Sequence, residues 1–272
     1  VDPHLERRAA LTGLLEGFPD VVVAFSGGVD SSVLLHAAVQ AMGPRAVALT
    51  GDSASLPRRE LEDARGFALA LGVRLELLAT DELTSEEYRR NDGTRCYHCR
   101  HALFTGMEAW ARARGFRVLA YGEITDDLGE HRPGRAAAAE FAVRAPLREA
   151  GFSKEDVRRY AREHGLQVAD KPAAACLASR LPVGTPVTRA ALARIEAAEE
   201  ALRTLGLEEL RVRDHGSHAR VELGADELLR VAGREAQLSA LLTPLGFVTL
   251  ELAPYRRGGA DTRSPATNST SR

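Results

Sequence analysis

Short apolar runs and longer stretches of helical spacing alternate along most of the chain. Val21-Val22-Val23-Ala24 is apolar and β-branched, the pattern of a strand buried in a parallel sheet. Val33 to Met42 has helical spacing and stops at Gly43-Pro44. Leu5 to Leu15 predicts a short helix leading into that first strand. Ala46 to Thr50 predicts a second strand, Gly51 to Pro57 a loop, Arg58 to Leu71 a helix closed by Gly72, and Val73 to Leu78 a third strand. A polar stretch, Thr84 to Gly93, is followed by Thr94 to Arg100 and then a helix to Arg114. Phe116 to Tyr121 reads as a fourth strand. Strands alternating with helices predict an α/β fold, a doubly wound parallel sheet.

Gly122 to Pro133 is acidic, turn-rich and long for a plain connection. Ala145-Pro146-Leu147 leads to a helix that Ser153 caps, with Asp156 in its first turn, and that ends at Gly165. Ala169 to Pro186 is irregular, and the pattern changes beyond it. Thr188 caps a helix to Leu205; strands at Leu210 to Asp214 and Ala219 to Leu223, helical segments within Asp226 to Leu242 and a strand at Phe247 to Leu252 follow. These make a small α+β unit. The expected division is a first domain over 1–186, a second over 187–262 and a disordered Ser/Thr/Pro-rich tail over 263–272.

Composition narrows the classes. The 272 residues carry a net charge of −2, so no broad basic field argues for nucleic acid. No apolar run reaches the length of a membrane span, and the first residues lack a signal peptide's apolar core. Three cysteines are too few for a disulfide framework. A cytoplasmic protein is expected.

The first strand runs into Phe25-Ser26-Gly27-Gly28-Val29-Asp30-Ser31-Ser32. Paired glycines let backbone approach a ligand closely, and a helix start offers unpaired N–H groups and a positive dipole end to phosphate. Ser26, Ser31 and Ser32 add hydroxyl donors. The Lys-Ser/Thr pair of a Walker A loop is missing, and the glycine spacing is not the dinucleotide fingerprint. The string resembles the pyrophosphate loop of the adenine nucleotide α-hydrolases, which cleave ATP to AMP and pyrophosphate.

Cys96 and Cys99 form a Cys-x-x-Cys pair, and Cys176 is the remaining thiol, about eighty residues on. Spacing alone leaves three readings open: a four-iron four-sulfur cluster on three thiolates, a structural zinc with His98 or His101 as fourth ligand, and no metal.

Several stretches together are similar to the LarE family of ATP-dependent pyridinium-3,5-biscarboxylic acid mononucleotide sulfurtransferases, a pyrophosphate-loop branch serving the nickel-pincer nucleotide of lactate racemase. They are Ser26 to Ser32, Arg132-Pro133-Gly134, Cys176-Leu177-Ala178-Ser179-Arg180, Arg211-Val212-Arg213 and Tyr255-Arg256-Arg257-Gly258. The resemblance implies adenylation of a substrate carboxylate by ATP with Mg2+, and then displacement of AMP by sulfur. It implies nucleotide contacts from Ser26, Gly27, Gly28, Val29, Asp30, Ser31, Ser32 and Ser53, with Asp30 a contact to magnesium. Cys96, Cys99 and Cys176 match the members whose three cysteines hold a 4Fe–4S cluster, with Cys176 catalytic. Ser179, Arg180, Glu200, Arg211, Arg213 and Arg256 are implied at the substrate, a small nucleotide. The family pattern also implies a homo-oligomer, a hexamer; the physiological sulfide donor is not implied.

Three rival functions share the nucleotide loop. A tRNA-thiolating enzyme fits poorly with the near-neutral charge and the lack of an RNA-binding module. An ammonia-dependent amide synthase would need no cysteine triad. A non-catalytic nucleotide-binding regulator with a structural zinc would bind ATP without releasing pyrophosphate.

Overall fold

The computed structural model describes residues 2–129, 134–172 and 175–255. The elements in order are α1 (Pro3–Glu16), β1 (Val21–Ala24), α2 (Val29–Met42), β2 (Ala46–Asp52), α3 (Arg58–Leu71), β3 (Leu75–Ala79), α4 (Glu86–Arg89), α5 (Arg95–Arg114), β4 (Leu119–Tyr121), α6 (Gly134–Glu140), α7 (Pro146–Glu149), α8 (Lys154–Glu163), α9 (Arg189–Arg203), β5 (Leu210–His215), β6 (His218–Leu223), α10 (Ala225–Val231), α11 (Glu235–Leu242) and β7 (Thr249–Pro254). They form two compact units. The first takes the chain up to Glu82 and again from Thr94 through the described residues to 172; the second takes Leu83–Gly93 and the chain from Ala175 onward. Among the described residues no helix is long and apolar enough to cross a membrane.

The first unit is an α/β layer structure on a four-stranded parallel sheet of order β3-β2-β1-β4. Alternate side chains of a strand point to opposite faces, and both faces of β1 are covered. Val21 and Val23 pack with Leu11 and Leu15 of α1, Val33 and Leu34 of α2, and Val157 and Tyr160 of α8. Val22 packs with Phe104 and Met107 of α5 and Ala137 of α6. That double covering explains why the strand reads as an unbroken apolar run. The strand order reverses between β1 and β4, and open α/β sheets bind ligands beyond the carboxyl ends of such a pair.

The second unit is a three-stranded mixed sheet of order β5-β6-β7, with β5 antiparallel and β7 parallel to β6. Its core joins Ala198 and Leu202 of α9 to Val212, Val221, Leu238, Leu242 and Phe247. The segment Leu83–Gly93 belongs here. Asn91 Nδ2 donates to the carbonyls of Pro182 at 2.8 Å and Thr185 at 2.9 Å.

Several element edges differ from the sequence expectation. β2 continues through Gly51 and Asp52, because β3 pairs with both. α5 starts at Arg95, so the cysteine pair lies within its first two turns and not ahead of it. β4 starts at Leu119, since the amides of Arg117 and Val118 go to the Asp20 carboxylate. β7 starts at Thr249, after Phe247 has turned into the core. The expected disordered tail, 263–272, lies outside the described residues, as do Arg132 and Pro133.

Candidate active site

β1 ends at Ala24, and the chain turns through Ser26, Gly27 and Gly28 into α2. Gly27 has φ +73°, a conformation L side chains rarely adopt, and a Cβ there would lie 3.2 Å from Ala64 Cβ of α3. Gly28 occupies the N-cap position of α2, and no side chain caps the helix. The hydroxyls bind the turn to itself. Ser31 Oγ lies 3.2 Å from Ser26 Oγ and 3.1 Å from the Gly28 carbonyl, and the Gly28 amide reaches Ser26 Oγ at 3.4 Å. Val29 and Ser32 are buried, and Ser32 Oγ has no hydrogen-bond partner among the described residues. The loop after β4 presses on this helix start, since a Cβ on Gly122 would lie 2.7 Å from the Ser31 nitrogen. An uncapped helix start at the reversal point of a parallel sheet suits an anion.

Charged side chains surround the turn in pairs. Asp30 receives both its hydrogen bonds from Lys154 Nζ, each at 2.8 Å. Lys171 Nζ sits 2.8 Å from Glu60 and 2.9 Å from Asp63, and reaches the Gly27 carbonyl at 3.4 Å. Ser53, beyond β2, accepts the Ser55 amide through Oγ, and Arg58 fastens that loop by donating to Asp52 and to the carbonyls of Ser53 and Leu56. Lys154 and Lys171 are functional candidates that sequence reasoning missed. Nothing in local spacing ties a lysine to a turn more than a hundred residues earlier.

Cys96 and Cys99 lie three positions apart near the start of α5, so they share one face; Cys96 is exposed and Cys99 half-buried. Cys176 is half-buried in the second unit, where its carbonyl accepts the Ser179 hydroxyl at 2.8 Å and Arg180 Nη1 at 3.1 Å. None of the three is in a disulfide. Among the described residues no three His, Cys, Asp or Glu side chains gather as a metal set. The donor chemistry fits a cluster, because thiolates are its usual ligands.

The second unit gathers a buried ion network. Arg180 makes paired hydrogen bonds to Glu199, at 2.9 and 3.2 Å, and Glu199 also accepts the Val212 amide. Arg213, only 2% exposed, donates to the Ser179 carbonyl at 2.7 Å and to Glu222 at 2.9 Å. Arg211 is buried with its guanidinium 4.6 Å from the Tyr255 ring centre. Burial, and then the charge of Arg180, lowers the Arg211 pKa. Three guanidinium groups and two carboxylates are thus buried in one network.

Cys176, Ser179, Arg180, Arg211 and Arg213 all lie in this unit. Glu200 does not join the network: it is exposed on α9 and pairs with Arg203 at 3.3 Å, while its neighbour Glu199 faces Arg180. Glu199, Glu222 and Tyr255 were missed as site residues; the spacing of Glu199 on α9, whose buried face includes Ile195 and Leu202, was the available signal for the first. Arg256 lies outside the described residues.

No family model matches the chain. An uncharacterised protein of Synechocystis is 38% identical over 242 residues, 87% of this chain and 90% of its own length. A Lactiplantibacillus plantarum protein named pyridinium-3,5-bisthiocarboxylic acid mononucleotide synthase is 32% identical over 255 residues, 93% of this chain and 92% of its own. The ammonia-dependent NAD+ synthetase of Hyperthermus butylicus is 44% identical over 64 residues, 23% of each chain. With the nucleotide turn in place, likeness to the L. plantarum synthase over nearly the whole length makes this chain a member of the LarE family of pyrophosphate-loop, ATP-utilising enzymes.

Proposed function

We propose that the chain is an ATP-dependent sulfurtransferase acting on pyridinium-3,5-biscarboxylic acid mononucleotide, a small-molecule nucleotide. A substrate carboxylate oxygen attacks the α-phosphorus of ATP, the bond to pyrophosphate breaks, and an acyl-adenylate forms. Sulfur then attacks the acyl carbon, the bond to AMP breaks, and a thiocarboxylate remains. A carboxylate is a poor electrophile, and adenylation gives it a good leaving group. The observation that carries this reading is the full-length likeness to a protein named for the bisthiocarboxylic product.

The chain's own residues would divide the work. The turn Ser26 to Ser32 would hold the departing pyrophosphate through amides, hydroxyls and the α2 dipole. Mg2+ would balance phosphate charge, and Asp30, which here accepts from Lys154, is the carboxylate that would meet it. The guanidinium forks of Arg180, Arg211 and Arg213 would suit a substrate phosphate or carboxylate. A 4Fe–4S cluster held by Cys96, Cys99 and Cys176 would supply the sulfur nucleophile.

The test incubates anaerobically purified protein with the biscarboxylic mononucleotide, Mg2+, ATP and sulfide, and follows pyrophosphate together with the product by mass spectrometry. Exchange of carboxylate oxygen for sulfur is expected. Cys176→Ala should release pyrophosphate and form no thiocarboxylate. Pyrophosphate release with ammonia incorporated, or sulfur delivered to tRNA, would overturn the assignment. Iron and acid-labile sulfide content decides between a cluster and a single-use Cys176 donor.

A further inference from the structure

The nucleotide turn has no cation of its own between Phe25 and Ser32. Pyrophosphate leaving ATP carries several negative charges, and a helix dipole offsets only about half of one. An ammonium as a point charge is the usual complement. One stands at the turn: Lys171 Nζ lies 3.4 Å from the Gly27 carbonyl. It comes from the segment after α8, 144 residues later.

That ammonium is restrained. Glu60 and Asp63, on the first turns of α3, hold it at 2.8 and 2.9 Å, and a Cβ on Gly27 would meet Ala64 of the same helix. Burial works to lower the Lys171 pKa, but the hydrogen bonds and charges of Asp63 and Glu60 outweigh it and raise it, so the group stays cationic. Counting Asp30 and Lys154, three carboxylates face two ammonium groups beside an anion site. A site built only to bind phosphate tightly would not place them so.

Resting on the nucleotide-loop reading above, we propose that Lys171 is the ammonium that meets the departing pyrophosphate, and that Glu60 and Asp63 are a carboxylate tether that restrains it until nucleotide binds. The tether sets phosphate affinity: the ammonium must leave one or both carboxylates to serve the ligand, and the carboxylates recapture it when pyrophosphate departs. Product release is eased by the same contacts.

The experiment is calorimetric titration of the full chain with magnesium pyrophosphate, and in parallel with magnesium ATP. Lys171→Met should weaken pyrophosphate binding by about tenfold or more. The double variant Glu60→Gln/Asp63→Asn should tighten it about threefold to tenfold. A merely structural ion pair would not give opposite signs. The triple variant completes the cycle and should show no tightening over Lys171→Met. Tightening that persists without Lys171 means the carboxylates repel phosphate directly and overturns the tether. Unchanged or weaker binding by the double variant also overturns it, even if Lys171→Met fails to fold. Wild-type protein that binds neither pyrophosphate nor ATP would overturn the nucleotide-loop reading and the proposal with it.

Discussion

The turn between β1 and α2 and the arginine network of the second unit both gather hydrogen-bond donors, yet they are built in opposite ways. The turn works through backbone: a glycine at positive φ, an uncapped helix start and a glycine whose missing Cβ lets one loop lie on another. Its nearby charges are held in ion pairs, three carboxylates on two ammonium groups. The network works through side chains: Arg180, Arg211 and Arg213 are buried, two of them paired with Glu199 and Glu222. The backbone of such a site fails on changes of shape. A buried ion network fails on a change of shape or of charge.

The largest effect should come from the network. Arg213→Ala leaves Glu222 buried without its cation and the Ser179 carbonyl without a donor, and should cost about 3–5 kcal/mol in urea unfolding. A loss below about 1 kcal/mol would mean the network is solvated and the contrast is wrong. The turn should answer next, and to shape. Gly122→Ala drives a Cβ to within 2.7 Å of the Ser31 nitrogen and should cost about 1–3 kcal/mol, with weaker ATP binding by titration.

A pH effect reaches the turn through α8, whose first residue, Lys154, holds Asp30. Ser153 and Asp156 form the capping box that starts this helix. Burial works against the Asp156 charge, but hydrogen bonds from Ser153, His4 and Arg7 outweigh it and hold the carboxyl at about 2, below its ordinary 3.8. A depressed carboxylate stabilises the fold above its unfolded pKa and loses that contribution as pH falls through its folded one. About 2 kcal/mol should therefore vanish between about pH 4 and pH 2. Thermal unfolding across that window should show a flatter profile for Asp156→Asn; an identical slope would sink the assignment. The smallest effect belongs to Glu200→Ala, within about 0.5 kcal/mol and without change in substrate binding, because Glu199 occupies the inward position.

The same contrast explains what was legible in the sequence. Ser26 to Ser32 could be read because its geometry is local: strand, turn and helix follow in one short string. The doubly wound sheet could be read because covering β1 on both faces requires an unbroken apolar run. Arg211 and Arg213 were legible as an alternating pair, but their burial was not, since Glu222 and Ser179 arrive from other segments. Glu199 and Glu200 are adjacent in sequence and differ only in which way α9 turns them. Lys171 and Lys154 belong to the turn by tertiary folding alone.

The excursion Leu83–Gly93 has a consequence for dissecting the molecule. The chain leaves the first unit at Glu82, contributes Tyr88 and Asn91 to the second, and returns at Thr94. A C-terminal fragment expressed from Ala175 would lack Tyr88, one of the most completely buried aromatic side chains, and would strip Asn91 from the carbonyls of Pro182 and Thr185. Truncation therefore cannot isolate that unit intact. A rearranged gene that splices 83–93 ahead of 175 is the shortest recombinant piece that keeps its described segments together.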